Sequence, residues 1–371
     1  MEILTTNVYD KQPKEPIYDR RKESEAFGKT RLGVKGLVDS GITRIPRMFH
    51  HPPETLFYYE KTENNDPNLE IPVIDMSMDH AKVVEQLRDA STKYGFFQVI
   101  NHVVPVSHLD RLLDVVQAVH ELPDEEKKRQ YREDILASGP GFGFSSYHDL
   151  FEYMAASWCD TISVRLSPNP VDPMDIPEVC RNEVLEWDKE VTVLAERLGE
   201  LLSEGLGLNS DKLKGTPLLE RKGMVGHYYP QCPEPNKTIG TASHTDLGMF
   251  TILIQDMVGG LQVEYDGKWI DLKPVHGALV VNIGDLFQIL SNDKYKSGAH
   301  RVYANPWEKP RVSIATFLSP PFEDENLYGP FEELTSPENP ALYKQLKFSD
   351  MLEKFMARNA SSMSMVDHFR L

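Results

Sequence analysis

The chain has only three cysteines in 371 residues, Cys159, Cys180 and Cys232, an odd count without the spacing of a disulfide scaffold or a thiolate metal site. Such usage fits a reducing compartment. Basic residues are also in short supply: 40 Lys and Arg stand against 57 Asp and Glu, a formal charge of −17. Nucleic-acid binding draws its affinity from clustered Lys and Arg, so no such partner is expected. No stretch approaches the 18 uncharged apolar residues of a membrane span, and MEILTTNVYDKQPKEP lacks the apolar core of a secretory signal. The expectation is a soluble cytoplasmic protein with no membrane partner, and a monomer by default. Internal repeats and low-complexity tracts are missing too. What is present is 40% hydrophobic residues, enough for one large core or two modest ones.

Residues 1–65 are charged and broken by proline, as in HHPPETL, and read as an extended arm with short helical turns over part of it. IPVIDMS then reads as a strand, and Asp79 opens a helix whose apolar face is Val83, Val84, Leu87, Ala90 and Tyr94. GFFQVIN is a second strand, followed by a helix over VPVSHLDRLLDVVQAVH. In KKRQYREDILASGPGFGFSSYHDL three glycines and a proline break the periodicity, which indicates a loop or hairpin where specificity often resides. A long helix is signalled from Pro177 to Gly207 by Val184, Trp187, Val191, Leu194, Leu198, Leu201 and Leu202. From Met224 the pattern changes to short runs, GHYYPQC, FTILIQ, LQVEY, WIDL, ALVVNIGD and RVSIATFL, divided by turn residues. Many short strands of this kind indicate a sandwich or barrel, of which the jelly roll is the double-sheet version. FSDMLEKFMAR closes the chain as an amphipathic helix. The resulting division is an arm (1–65), a helix-rich region (66–215), a strand-rich core (216–320) and a helical C-terminal segment (321–371).

TASHTDLGMFTILIQD is rich in strand-forming residues and carries His244, Thr245 and Asp246. On a strand, i and i+2 share a face, so His244 and Asp246 can reach one ion while Thr245 faces away. His300 completes the set. Two imidazoles and a carboxylate on one side of a metal leave the other positions open, the arrangement associated with non-haem iron(II) and dioxygen. Composition alone yields about one His-x-Asp triplet, and a second does occur at His108. There the spacing is helical, i and i+2 diverge by roughly 200°, and the pair cannot chelate; a surface His and a solvated Asp are expected. Arg311 and Ser313 again stand at i and i+2 on a strand, where a planar guanidinium can fork a carboxylate. A zinc hydrolase can also use His, Asp and His, but it has no need of Arg311 and Ser313.

The segments IPVIDMS, YGFFQVINH, HYYPQCPEP, SHTDLGMFTILIQD, GLQVEYDGKWIDLKP, ALVVNIGDLFQILSNDKYKSGAHRV and RVSIATFLSPP, spanning residues 71 to 320, resemble those of plant 2-oxoglutarate- and iron(II)-dependent dioxygenases. The arm EAFGKTRLGVKGLVDSGITRIPRMFHHPPETL is similar to that of the ACC oxidase homologues, a subgroup serving specialised metabolism that includes hydroxylases of alkaloids, benzoxazinoids and steroidal compounds. The resemblance implies a mainly β fold with flanking helices around a distorted double-stranded β-helix, or jelly roll. It implies Fe(II) held by His244, Asp246 and His300, with no catalytic residue beyond these ligands. 2-Oxoglutarate would be anchored by Arg311, Ser313 and Tyr229, with His227 beside it, and ascorbate would serve as reductant. Dioxygen and a small molecule would react, with hydroxylation and release of succinate and CO2 as the default outcome. Three departures stand out: His227 replaces the usual Asn of NYYPxCP, Cys159 replaces Arg of WRD, and NHV replaces NHG. Family geometry nominates Phe142, Phe144, Tyr147, Val225, Phe317 and Ser319 as substrate-binding residues, an aromatic lining suited to an apolar or ring-bearing molecule. Alternatives are an ACC-oxidase-like, ascorbate-dependent oxidase, a desaturase or epoxidase outcome of the same chemistry, and an inactive jelly-roll binding module whose only foothold is His227.

Overall fold

The computed structural model describes residues 18–56, 69–132, 141–146, 155–357 and 364–371. In chain order, helices α1 (Arg20–Thr30), α2 (Gly33–Asp39) and α3 (Pro53–Leu56) precede strand β1 (Val73–Asp75), α4 (His80–Lys93) and β2 (Phe96–Ile100). Next come α5 (Val106–His120), α6 (Asp124–Gln130), the strands β3 (Phe142–Ser145) and β4 (Asp160–Ser167), and the long helix α7 (Glu178–Gly205). The strand-rich part holds β5 (Arg221–Tyr229), β6 (Ile239–His244), β7 (Phe250–Gln255), β8 (Leu261–Tyr265), β9 (Lys268–Asp271) and β10 (Leu279–Ile283). Helix α8 (Asp285–Leu290), β11 (His300–Tyr303), β12 (Arg311–Ser319) and α9 (Phe348–Met356) follow.

The strands form a major sheet of order β1-β2-β10-β7-β12-β5-β4-β3 and a minor sheet of order β6-β11-β8-β9. The major sheet draws β1 to β4 from the helix-rich region and the rest from the strand-rich core, so the two regions share one hydrogen-bonded layer. Alternation assigns its faces. Along β12, Val312, Ile314, Thr316 and Leu318 face the helices, and Arg311, Ser313, Ala315, Phe317 and Ser319 face the minor sheet. On the helical side, α7 buries Val184, Trp187, Val191, Leu194, Leu198, Leu201 and Leu202, and the Trp187 indole donates to Thr316 Oγ1 at 2.9 Å. That buried bond fixes the register of the helix against the sheet while satisfying a polar group that apolar packing alone would strand. Asp79 caps α4 through Ala81 N at 3.1 Å, at the predicted helix start.

Two expectations are corrected. The helical part of the arm is longer than short turns and is packed: α1 and α2 are helices whose Phe27 and Val34 pack with Met48, Phe49, Trp158 and Cys232 in a separate apolar cluster. Nor is His108 a surface residue. It is 1% exposed, with Nδ1 against the Glu190 carboxylate of α7 and Nε2 against the Glu183 carbonyl. Asp110 points elsewhere, to His276 at 3.0 Å. The pair diverges around α5 as helical geometry requires, but the imidazole serves a buried helix-to-helix contact rather than solvent.

The arm is tied to the major sheet by Asp160, the first residue of β4. Its carboxylate accepts from Val34 N at 2.7 Å, Lys35 N at 2.8 Å and Ser146 Oγ at 2.5 Å. Gly33 makes this approach possible: its φ is +72°, and a Cβ there would stand 2.4 Å from Asp160 Oδ1. Burial pushes the Asp160 carboxyl up to about 6, against the pull of those three donors. Asp160→Ala strands one buried and one half-buried N–H group and should lower unfolding stability by about 2–4 kcal/mol. By contrast, Asp39→Ala breaks only an exposed ion pair with Lys35 and should cost at most about 1 kcal/mol. Urea denaturation of both variants checks this, and equal losses would contradict the clamp.

Candidate metal centre and cosubstrate pocket

His244 ends β6 and His300 begins β11, and the two are directly paired across the minor sheet. Pairing thus brings together histidines far apart in sequence, with ring centroids 4.2 Å apart. Asp246 lies just past the end of β6 rather than on it, and turns back so that Oδ1 is 3.6 Å from His244 Nε2 and 3.8 Å from His300 Nε2. Both separations are below twice a metal–ligand bond of about 2.1 Å. One donor atom from each of the three residues falls within 4.8 Å of the others. His244 Nδ1 meets the Ala242 carbonyl at 2.8 Å and His300 Nδ1 the Gly298 carbonyl at 3.2 Å. A carbonyl only accepts, so each Nδ1 carries a proton and each Nε2 is the nitrogen turned inward, toward Asp246. Thr245 faces away, as expected, and donates to Asp285 Oδ2 at 3.0 Å.

Asp246 is 6% exposed, and burial is the largest influence on its carboxyl, opposing ionisation. His300, His244, Asn282 and Thr251 outweigh burial and hold it below the usual carboxylate value. The last two are direct donors to Oδ2: Thr251 Oγ1 at 2.5 Å and Asn282 Nδ2 at 2.7 Å. They leave Oδ1 for an ion. An oriented imidazole pair with a carboxylate is the donor set of the two-histidine, one-carboxylate iron(II) centre, and no cysteine belongs to the cluster.

Arg311 opens β12 opposite Tyr229 of β5, and Ser313 lies opposite His227. The Arg311 guanidinium is 2% exposed, yet no carboxylate lies within 4 Å among the described residues. Nη1 donates to Ser313 Oγ at 2.9 Å and Nη2 to Gln255 Oε1 at 3.2 Å, while Nε and Gln255 Nε2 are buried without a partner. A buried cation with unsatisfied N–H groups is costly unless an anion completes it. The Tyr229 ring centroid is 4.9 Å from the guanidinium carbon, and its hydroxyl meets Thr241 Oγ1 at 2.9 Å. Burial, then the neighbouring Cys159, raises Tyr229 far above the usual phenol value, so it is a neutral donor. Cys159 Sγ sits 4.0 Å from His227 Nδ1, which makes the two sequence departures spatial neighbours.

The other predicted residues divide by face. Val225 pairs with Ala315 and Phe317 with Gly223, on the face shared with Arg311 and Ser313. Ser319 lies at the far end of that face, its hydroxyl donating to the Pro320 carbonyl at 3.0 Å. Phe142 and Phe144 do not line this face. They pair with Val164 and Ile162 and point into the helix-side core, where Phe144 meets the His120 and Tyr131 rings. A strand reverses side at every residue, so Gly143 and Ser145 take the site-facing positions instead. Tyr147 lies outside the described residues. Sequence reasoning missed Thr251, Asn282, Gln255 and Thr241, whose signal is a polar residue recurring at a site-facing position of an otherwise apolar strand, as in ALVVNIGD and FTILIQ.

Two family models match this chain: the 2OG-Fe(II) oxygenase superfamily over residues 221–320, and the non-haem dioxygenase in morphine synthesis N-terminal region over residues 71–185. The chain is 40% identical to the 1-aminocyclopropane-1-carboxylate oxidase homolog 5 of Arabidopsis thaliana, covering all of this chain and 94% of that protein. It belongs to the 2OG-Fe(II) oxygenase superfamily. The crystal structure of JOX2 in complex with 2OG, Fe and JA superposes with a TM-score of 0.78 at 30% identity, covering 91% of this chain and 97% of that one. The rice dioxygenase for auxin oxidation gives 0.68 at 26% identity, with 81% and 100% coverage. The chain is therefore a 2-oxoglutarate-dependent dioxygenase on the double-stranded β-helix fold, with Fe(II) and 2-oxoglutarate as its cofactors. Among the described residues no helix is long and apolar enough to cross a membrane.

Because Thr251 and Asn282 hold the second oxygen of Asp246, Thr251→Val and Asn282→Leu should each weaken metal binding by about 10- to 100-fold. Anaerobic Fe(II) titration followed by calorimetry checks this, and wild-type affinity in both variants would remove them from the site.

Proposed function

We propose that this chain hydroxylates an apolar or ring-bearing small molecule of plant specialised metabolism, of the alkaloid, benzoxazinoid or steroidal class, with His244, Asp246 and His300 as the iron ligands. Arg311, Ser313 and Tyr229 bind the distal carboxylate of 2-oxoglutarate, and ascorbate is the reductant. The observation that carries this reading is the buried Arg311 guanidinium: among the described residues it lacks a carboxylate partner, its Nε is unsatisfied, and it shares a face with residues that reach toward the His-Asp-His cluster.

The bound iron and 2-oxoglutarate supply dioxygen activation coupled to oxidative decarboxylation, which yields succinate and CO2. The protein's own residues bind, orient and exclude. Arg311 takes the carboxylate through a planar fork, and the Ser313 and Tyr229 hydroxyls add donors that fix its rotation. Burial drives the Cys159 thiol well above its ordinary value, so it contributes a neutral wall rather than a competing thiolate ligand. His227 puts a ring where relatives carry an amide, changing the donor geometry beside the cosubstrate. Val225, Ala315 and Phe317 give the substrate an apolar floor that keeps water from the reacting carbon.

The test is aerobic incubation with Fe(II), 2-oxoglutarate, ascorbate and a library of plant metabolites, with product mass and succinate followed together. A gain of one oxygen supports hydroxylation or epoxidation, and a loss of two hydrogens desaturation. Product formed without succinate would contradict the reading in favour of an ACC-oxidase-like reaction. His244→Ala and Asp246→Ala should abolish substrate-dependent succinate formation, and retained turnover in either would sink the ligand assignment. Arg311→Leu should raise the KM for 2-oxoglutarate at least tenfold, as expected on order of magnitude for loss of a buried charge partner.

A further inference from the structure

The site-facing side of the major sheet carries a pair of arginines at the end opposite Arg311. Arg165 of β4 is paired with Gly223 of β5, and Gly223 is paired on its other side with Phe317 of β12. Arg221, two residues before Gly223, projects from the same face. Its guanidinium folds back along the strand: a Cβ built on Gly223 would meet Arg221 Nη1 at 3.4 Å and Nη2 at 3.5 Å. The guanidinium thus lies over Gly223, whose partners across the sheet are Arg165 and Phe317. Phe322 closes one side, with its ring centroid 3.9 Å from the Arg221 guanidinium carbon. Arg132, whose Cγ would lie 2.9 Å from a Cβ on Gly143, adds a third, exposed cation over the adjoining part of this face.

Among the described residues Glu323 acts on Arg221 only from beyond ion-pair distance. Among the described residues neither Arg165 nor Arg221 has a carboxylate within 4 Å, and neither guanidinium donates a hydrogen bond to a protein group. The chain carries 57 acidic residues against 40 basic ones, so an unpaired arginine couple does not reflect a shortage of acids. Holding two guanidinium groups together costs free energy: burial first, and then the charge of Arg165, bring Arg221 down to about 10. An oxyanion between them would remove that cost and receive planar, forked donors.

The pair is distinct from the cosubstrate anchor. Arg221 lies eight residues along β5 from Tyr229, the partner of Arg311, a separation of roughly 27 Å at strand rise. It is close to the metal centre by another route. The row Arg165–Gly223–Phe317–Thr251–Asn282 runs straight across the sheet, and Thr251 and Asn282 hold Asp246. From Gly223 to Thr251 is two strand spacings, on the order of 10 Å. We propose that Arg165 and Arg221 form a substrate-recognition subsite for a carboxylate, holding the apolar body of an organic acid across Phe317 with its far end at the metal centre. The inference rests on the oxygenase reading above and narrows its substrate to acids whose oxidised carbon lies on the order of 10 Å from the anion.

The experiment uses the full chain with Mn(II) and 2-oxoglutarate, titrated calorimetrically with a panel of aryl- and cycloalkyl-alkanoic acids such as 4-phenylbutyrate, each paired with its primary amide. The wild type should prefer the acid at least about tenfold. Arg165→Gln and Arg221→Gln, with melting temperatures like the wild type, should lose that preference, and Arg221→Lys should restore part of it. A wild type that binds 2-oxoglutarate but prefers no acid over its amide overturns the subsite and leaves the oxygenase reading standing, as does a preference that survives both glutamine changes. A wild type that binds no 2-oxoglutarate overturns both.

Discussion

The hydrogen bonds that Thr251 and Asn282 make to Asp246 join the two sheets at the point where the chemistry is organised. Asp246 follows β6 of the minor sheet, whereas Thr251 and Asn282 stand on β7 and β10 of the major one. They act with His300 and His244 against burial, which alone would favour protonation of this carboxylate. One of its oxygens is committed to the protein, and the other is left facing His244 and His300. A nearby backbone bond, Asp285 N to the Asp246 carbonyl at 2.7 Å, ties the same turn to the start of α8. Sheet packing and metal-site geometry are therefore one arrangement.

From that point the site is laid out by strand alternation. One face of β12 presents Arg311, Ser313, Ala315, Phe317 and Ser319 in sequence, so anchor, floor and outer wall differ only in distance along a single strand. Across the sheet, the partner residues of β5 and β4 extend each position into a row. Small residues decide where room exists: Gly223 lies under the Arg221 guanidinium, and Ala315 opens the centre between the anchor and Phe317. The helices behind supply rigidity, with Trp187 pinning β12 from the opposite side. A groove held in this way orients its ligands with little conformational freedom left to lose.

Much of this was legible before any coordinates. The helix opened by Asp79, the long apolar repeat of α7 and the short alternating runs after Met224 depend on local periodicity, and so does the shared face of Arg311 and Ser313. What escaped sequence reasoning depends on contacts between distant residues. Nothing near Val34 announces that Asp160 of β4 will bind its N–H, and a charged, proline-broken segment accordingly reads as an arm with only short helical turns. His108 read as a surface residue because its partner Glu190 lies on another helix. Family geometry nominates Phe142 and Phe144 for the pocket, but a four-residue strand cannot declare its inward face until its pairing with β4 is known. Arg165 and Arg221 sat in plain alternation in DTISVRLS and RKGMVGHYY, yet only the neighbouring Gly223 places them together.

The account stands or falls on whether the His-Asp-His cluster and the Arg311 anchor serve one cosubstrate. If they do, metal and 2-oxoglutarate must strengthen each other's binding, because thermodynamic coupling between sites is reciprocal. Anaerobic calorimetry of 2-oxoglutarate with and without Fe(II) measures this directly. The predicted result is a Kd at least about tenfold tighter when the metal is present, within the usual range of such coupling. An affinity that is the same with and without the metal would contradict the account.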